Sequence, residues 1–119
     1  MTPRGADRSK DWSFPFEGPL HDVFPALHEA NRAWMSQIDS LTAPDRKTHE
    51  LVRMVCTVIL RNPDGVKRHA RFATEVGATW EEVLGSIMLT MPGFGLLPAV
   101  EAIPHARAGF EEAAEVEAD

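Results

Sequence analysis

Apolar residues recur along this chain at helical spacing, and Pro, Gly and Asn punctuate them into segments of helix length. From about Pro25 to Asp39, Leu27, Ala30, Trp34 and Ile38 share one side while Glu29, Arg32 and Gln37 take the other, which predicts an amphipathic helix. A second helix is expected from Ala43-Pro44-Asp45, with Pro suited to the first helical position and an acid in the first turn. It runs to about Arg61, where Pro63 stops it. Its first half is amphipathic, whereas the run from Met54 to Leu60 is apolar almost all round, apart from Thr57. A helix apolar on every side needs cover on every side, which a small domain obtains most readily at a subunit interface. A third helix is predicted from Asp64 to Val76, closed by Gly77. The fourth starts at Thr79-Trp80-Glu81-Glu82, a capping-box pattern, and continues through Val83, Leu84, Ile87 and Met88 to about Met91. Pro92-Gly93-Phe94-Gly95 reads as a break before a last helix from Leu97 to Ala114, with a bend expected at Pro104. No segment alternates as a strand does, so the chain reads as all-α.

At 119 residues the chain is expected to form one domain. Residues 1–19 are rich in Pro, Gly and charge, with Trp12, Phe14 and Phe16 interspersed, and read as an irregular arm lying on a neighbouring surface. Residues 20–119 form the helical domain. The net charge of −6 argues against nucleic acid as a partner, because phosphate binding needs a basic face. Much of that acidity lies in the final run from Glu111, which reads as a solvated helix end and tail. No run approaches membrane-spanning length and the start has no apolar signal core, so no membrane role and a cytoplasmic location are expected. A single cysteine, Cys56, excludes an internal disulfide and a dithiol pair. Its apolar neighbours predict a buried structural thiol.

Glu50 and His69 are the first candidates for chemistry. They lie nineteen residues apart on two consecutive helices joined at Asn62-Pro63-Asp64-Gly65, so a helical hairpin can bring carboxylate and imidazole together. A carboxylate beside an imidazole fixes its tautomer and raises its basicity, which suits proton transfer near neutral pH. Arg53 falls three residues after Glu50 on roughly the same face, and Lys67, Arg68 and Arg71 flank His69. Guanidinium groups clamp carboxylates bidentately, so Arg53 and Arg71 are candidate substrate-binding residues, against the plainer reading of surface charges paired with acids. His21, His28 and His49 lack partners at metal-ligand spacing, and no metal site is expected. Trp34, Met54, Trp80, Met88 and Met91 read as packing residues.

The stretch from Asp45 to Thr79 resembles the carboxymuconolactone decarboxylase and alkylhydroperoxidase D superfamily. Redox members of that superfamily carry Glu-x11-Cys-x-x-Cys-x-x-x-His, and the same spacing here reads Glu50, Asn62, Gly65 and His69. Both cysteines are absent while the outer residues remain. The resemblance covers roughly residues 25–115 and is strongest from 45 to 90. It implies a compact, mostly antiparallel all-α bundle of five to six helices whose protomers assemble as a homo-oligomer, a trimer or hexamer. It also implies a pocket near the subunit interface and no cofactor. Loss of the cysteines aligns the chain with the decarboxylase branch, in which the His is the acid/base residue, whereas Glu50 is typical of the redox branch. The turn from Pro92 to Ala99 resembles the family's Gly-x-Pro-Ala region, although Gly95 stands three residues before Pro98 rather than two. With Pro98 as the anchor, His105 falls on a position that is also His in some decarboxylase-branch members, and is expected to line the pocket. The leading expectation is a cofactor-independent lyase or isomerase acting on a small carboxylated, cyclic or unsaturated molecule. Its rivals are a catalytically silent ligand-binding or structural subunit and a peroxidatic enzyme using Cys56 alone.

Overall fold

A computed structural model of the chain describes residues 15–118. All regular structure among these residues is helical: α1 (Glu17–Val23), α2 (Pro25–Asp39), α3 (Arg46–Ile59), α4 (Pro63–Glu75), α5 (Trp80–Met88), α6 (Met91–Phe94) and α7 (Leu96–Ala118). The all-α expectation therefore holds, with α6 a single turn where a break was read. Trp12, Phe14 and most of the expected arm lie outside the described residues. Helix α1 begins at Glu17, inside the stretch read as irregular. The chain divides into two compact units at Leu41–Thr42.

The first unit holds α1 and α2. Its buried residues are polar: Glu17 is 5% exposed and His28 3%, and Glu17 Oε1 lies 3.2 Å from His28 Nε2. The ring of His21 meets that of His28 edge-on, with centroids 5.4 Å apart. The inward face of α2 is thus set by His28, not by the predicted stripe. Leu27 and Trp34, expected to pack, are 58% and 62% exposed.

In the second unit, local signals set the helix ends. The Asp45 side chain accepts from the Thr48 N–H at 2.8 Å and is the cap of α3, so Pro44 precedes the cap instead of opening the helix. Helix α3 ends at Ile59, before Pro63 acts. Arg61 then takes a left-handed conformation (φ +55°), and Asn62 caps α4 by accepting from the Gly65 N–H at 3.1 Å. Pro63 occupies the first turn of α4, where its missing N–H is harmless. Thr79 and Glu82 form the predicted reciprocal capping box of α5. Gly77 (φ +104°) and Gly95 (φ +89°) follow α4 and α6 in backbone conformations that favour glycine.

The core of this unit joins Met54 and Val58 of α3, Val66, Ala70 and Ala73 of α4, Val83 and Ile87 of α5, and Ala99, Ala102 and Ala106 of α7. Side chains the size of Met54 and Ile87, both fully buried, each contribute about 1.5–3 kcal/mol through lost water contact. Small residues let α4 and α7 approach closely: a Cβ on Gly109 would stand only 2.2 Å from the Lys67 carbonyl oxygen. Contacts between these helices rise together along the chain, from Arg61 with Glu101 to Arg71 with Glu112, so they run in the same sense. Helices α3 and α4 are antiparallel, with Thr57 against Gly65 at one end and Glu50 opposite His69 farther along. Pro104 lies within α7.

Candidate active site

Helical spacing puts Arg46, Glu50 and Arg53 on one face of α3, at i, i+4 and i+7, and the α3–α4 hairpin turns that face toward His69. At Gly65 the Thr57 side chain of α3 packs where a Cβ on α4 would stand. Glu50 Oε2 then lies 3.4 Å from His69 Nδ1, and Glu50 Oε1 lies 3.4 Å from an Arg53 guanidinium nitrogen. Arg46 approaches the same carboxylate oxygen at 3.9 Å. These contacts are long for hydrogen bonds. The Glu50 side chain is 1% exposed and that of His69 12%.

An acid buried this deeply is pushed toward its neutral form by desolvation, the largest single influence on Glu50. Contact with His69, followed by the charges of His69, Arg53 and Arg46, outweighs it and holds the Glu50 carboxyl below the usual carboxylate range. Glu50 is therefore a carboxylate at neutral pH. With Nδ1 of His69 facing it, the outer nitrogen, Nε2, has no hydrogen-bond partner among the described residues. The arrangement can orient an imidazole, fix its tautomer and stabilise its protonated form. The ring of Phe72 stands edge-on to that of His69, with centroids 6.0 Å apart.

The expected site residues are thus partly brought together. Glu50, His69 and Arg53 form one cluster. Arg71 is directed elsewhere: it donates to Glu112 at 3.2 Å, approaches Glu75 at 3.7 Å and rests over Phe72 at 5.1 Å. His105 is exposed and lines a cleft with Arg61, Asn62 and Glu101, which Glu50, His69 and Arg53 do not line. Two further clefts, one beside Arg68 and Arg71 and one beside Val52 and Leu89, are also lined without Glu50 or His69.

Arg46 was missed, although its position four residues before Glu50 was the available signal. Cys56, predicted to be buried, is exposed. Helix α3 buries Met54 and Val58 on one side and leaves Val52 and Cys56 exposed on the other, with Leu60 exposed just past its end, so among the described residues its apolar half is fully covered on one face only.

Among the described residues no group of three or more His, Cys, Asp or Glu side chains is placed to hold a metal ion. No helix among them is long and apolar enough to cross a membrane. In comparisons with known proteins, no family model, curated protein or solved structure matches the chain.

Proposed function

We propose that the chain is a divergent relative of the carboxymuconolactone decarboxylases that lacks the Cys-x-x-Cys pair. In this reading it is a cofactor-independent lyase or isomerase for a small carboxylated, cyclic or unsaturated metabolite. The observation that supports the reading is the pairing of a buried, ionised Glu50 with Nδ1 of His69, leaving Nε2 unpartnered. In decarboxylation the bond to the carboxyl carbon breaks, carbon dioxide leaves, and the electron pair passes into an enolate conjugated with the ring. The protonated His69 then gives its Nε2 proton to the carbon, and Glu50 balances the imidazolium charge before that transfer. Arg53, and Arg46 beside it, supply the positive charge that stabilises the developing enolate. Isomerisation uses the same groups, with His69 first removing a proton and then returning it to another carbon.

The same reading makes the protomer part of a homo-oligomer, a trimer or hexamer, and what supports this is apolar surface. Val52, Leu60, Leu89, Phe94 and Leu97 are 49%, 76%, 80%, 57% and 63% exposed. Val52, Leu89 and Phe94 line one cleft, and exposed apolar surface gathered in this way marks interaction faces. The location follows as cytoplasmic.

A second reading, a catalytically silent ligand-binding or structural subunit, is favoured by Phe72 on the His69 ring and by the arginines already engaged with Glu50. Cys56 is exposed, and its thiol has no hydrogen-bond or ion-pair partner among the described residues to activate it, so peroxidatic chemistry has no support beyond exposure. The deciding experiment follows carbon dioxide release and ultraviolet change on aromatic-catabolite lactones and vinylogous acids, for wild type and His69→Ala. Turnover lost in the variant is the expected result. Turnover that survives His69→Ala refutes the assignment, and a folded protein inert on every acid favours the silent reading.

A further inference from the structure

A cleft of about 220 Å³ opens between the α3–α4 turn and α7, away from the Glu50–His69 pair. Its walls are apolar: Val58, Val66 and Ala102, with Pro63 and Pro98 at the sides. Its polar groups are four, namely Arg61, Asn62, Glu101 and His105. Apolar walls with a few converging polar groups are the usual make-up of a small-molecule site. At this volume the occupant is a single small ring or short branched chain, below the ordinary range of ligand pockets.

The polar groups set its charge. Asn62 lines the cleft and uses its side-chain oxygen to cap α4, so its amide N–H groups are the donors it has left. The first turn of α4 adds the positive end of a helix dipole. His105 has no hydrogen-bond or ion-pair partner among the described residues, so its imidazole is available to a ligand. Arg61 donates to Glu101 at 2.7 Å, but both side chains are about half exposed, at 55% and 49%. Exposed pairs of this kind hold their partners weakly, so Glu101 can yield the guanidinium to a ligand carboxylate. The backbone independently marks the position, because Arg61 occupies the left-handed region that Gly or Asn would fill with less strain. A long cation stands where the turn alone asks for a small residue.

We propose that this cleft is a second binding site, separate from the acid–base pair, for a compact organic anion: a carboxylate on a small hydrocarbon ring or branched chain. Its carboxylate takes the place of Glu101 on Arg61 and accepts from Asn62 and His105, while the hydrocarbon rests on Val58, Val66 and Ala102.

Benzoate is the probe, with benzyl alcohol and benzylamine as neutral and cationic isosteres, and amide chemical shifts of the full chain are followed by NMR. Benzoate is expected to give saturable shifts at 61–64 and 101–106, and benzyl alcohol to bind at least about tenfold more weakly, for want of a charge-assisted contact. Arg61→Gly suits the turn, so the variant keeps its helix content and is expected to lose benzoate at least about tenfold. His105→Gln, on an exposed residue, weakens binding to a smaller extent, and His69→Ala leaves it unchanged. Absence of saturable shifts, equal binding of the three probes, preference for benzylamine, or full affinity in folded Arg61→Gly would each overturn the proposal. So would shifts centred on Glu50 and His69, or benzoate binding abolished by His69→Ala, because either result would place the anion at the acid–base pair.

Discussion

Replacing Glu50 by Gln removes the charge of the acid–base pair and leaves its shape. In the wild type the carboxylate is 1% exposed and faces His69, Arg53 and Arg46 at 3.4, 3.4 and 3.9 Å. Removing one partner of a fully buried ion pair costs about 3–5 kcal/mol, chiefly through the charge left behind. Arg53 and Arg46 here are 22% and 49% exposed and can turn toward water, which brings the expected loss for Glu50→Ala to about 2–3 kcal/mol. Glu50→Gln keeps the volume and a neutral acceptor, so its loss should be about 1–2 kcal/mol. The pH dependence then separates charge from packing. The carboxyl of Glu50 is held below its ordinary value in the folded chain, so its contribution is complete above the unfolded value near 4.5 and disappears as pH falls through the lower folded value. Urea unfolding of wild type and Glu50→Gln, at pH 7 and in steps down to pH 3, should show a gap at neutral pH that closes on acidification. A gap that is absent at pH 7, or that widens below the unfolded carboxyl value near 4.5, would refute the electrostatic account of the pair.

Two further outcomes follow from packing and exposure. Gly109→Ala should lower stability by about 1–2 kcal/mol in urea unfolding, because overpacking against the α4 backbone exceeds the roughly 1 kcal/mol of helix propensity gained. Gly85→Ala, on α5 with nothing within 4 Å of the new Cβ, should instead stabilise by up to about 1 kcal/mol; equal effects at the two sites would contradict the packing. Cys56 should react with a thiol reagent as a surface thiol at high dilution and more slowly as concentration rises, if an oligomer covers that face of α3. Slow labelling at every concentration would mean that the thiol is covered within the chain itself.

The parts of the fold legible in the sequence are those written within a few residues. Asp45 and Thr79 bond to N–H groups three residues ahead, and Gly77 closes α4 by its own conformation, so the start of α3 and the bounds of α4 and α5 could be read to within a residue or three. The Glu50–His69 pair was legible for a related reason: two helices joined by a short turn near the midpoint of the pair can only fold back on each other. What depends on tertiary placement was not legible. Arg71 looked like a partner for substrate because Glu112, forty-one residues away, gives no local signal. His105 was expected beside His69, but α7 runs alongside α4 in the same sense and carries His105 toward Asn62 at the start of that helix. Trp34 and Cys56 were assigned to the interior on apolar character, which does not say whether anything covers the residue.

The turn between α3 and α4 uses Asn62 and Gly65 for structure. In the family resemblance, Asn62 and Gly65 stand where redox members carry cysteines. Here Asn62 caps α4, and Gly65 lies against Thr57 so closely that an added Cβ would be 2.6 Å from its Cγ2 and 3.0 Å from its Cβ. Thr57 cannot turn aside freely, because its hydroxyl donates to the Met54 carbonyl at 2.6 Å. Gly65→Ala should therefore destabilise by about 1–2 kcal/mol despite its better helix propensity. Thr57→Ser keeps the hydroxyl and deletes the offending methyl, so in that background Gly65→Ala should recover about half of the loss or more. The double-mutant cycle would then give a coupling of about 1 kcal/mol, well beyond the additivity of independent sites. Strict additivity would show that Gly65 serves the backbone and not the contact. A cysteine at position 65 meets the same methyl, so restoring the thiol pair requires Thr57 to change as well. The same contact lies between α3 and α4, the helices that carry Glu50 and His69, so a larger residue at 65 should also move the two acid–base groups apart.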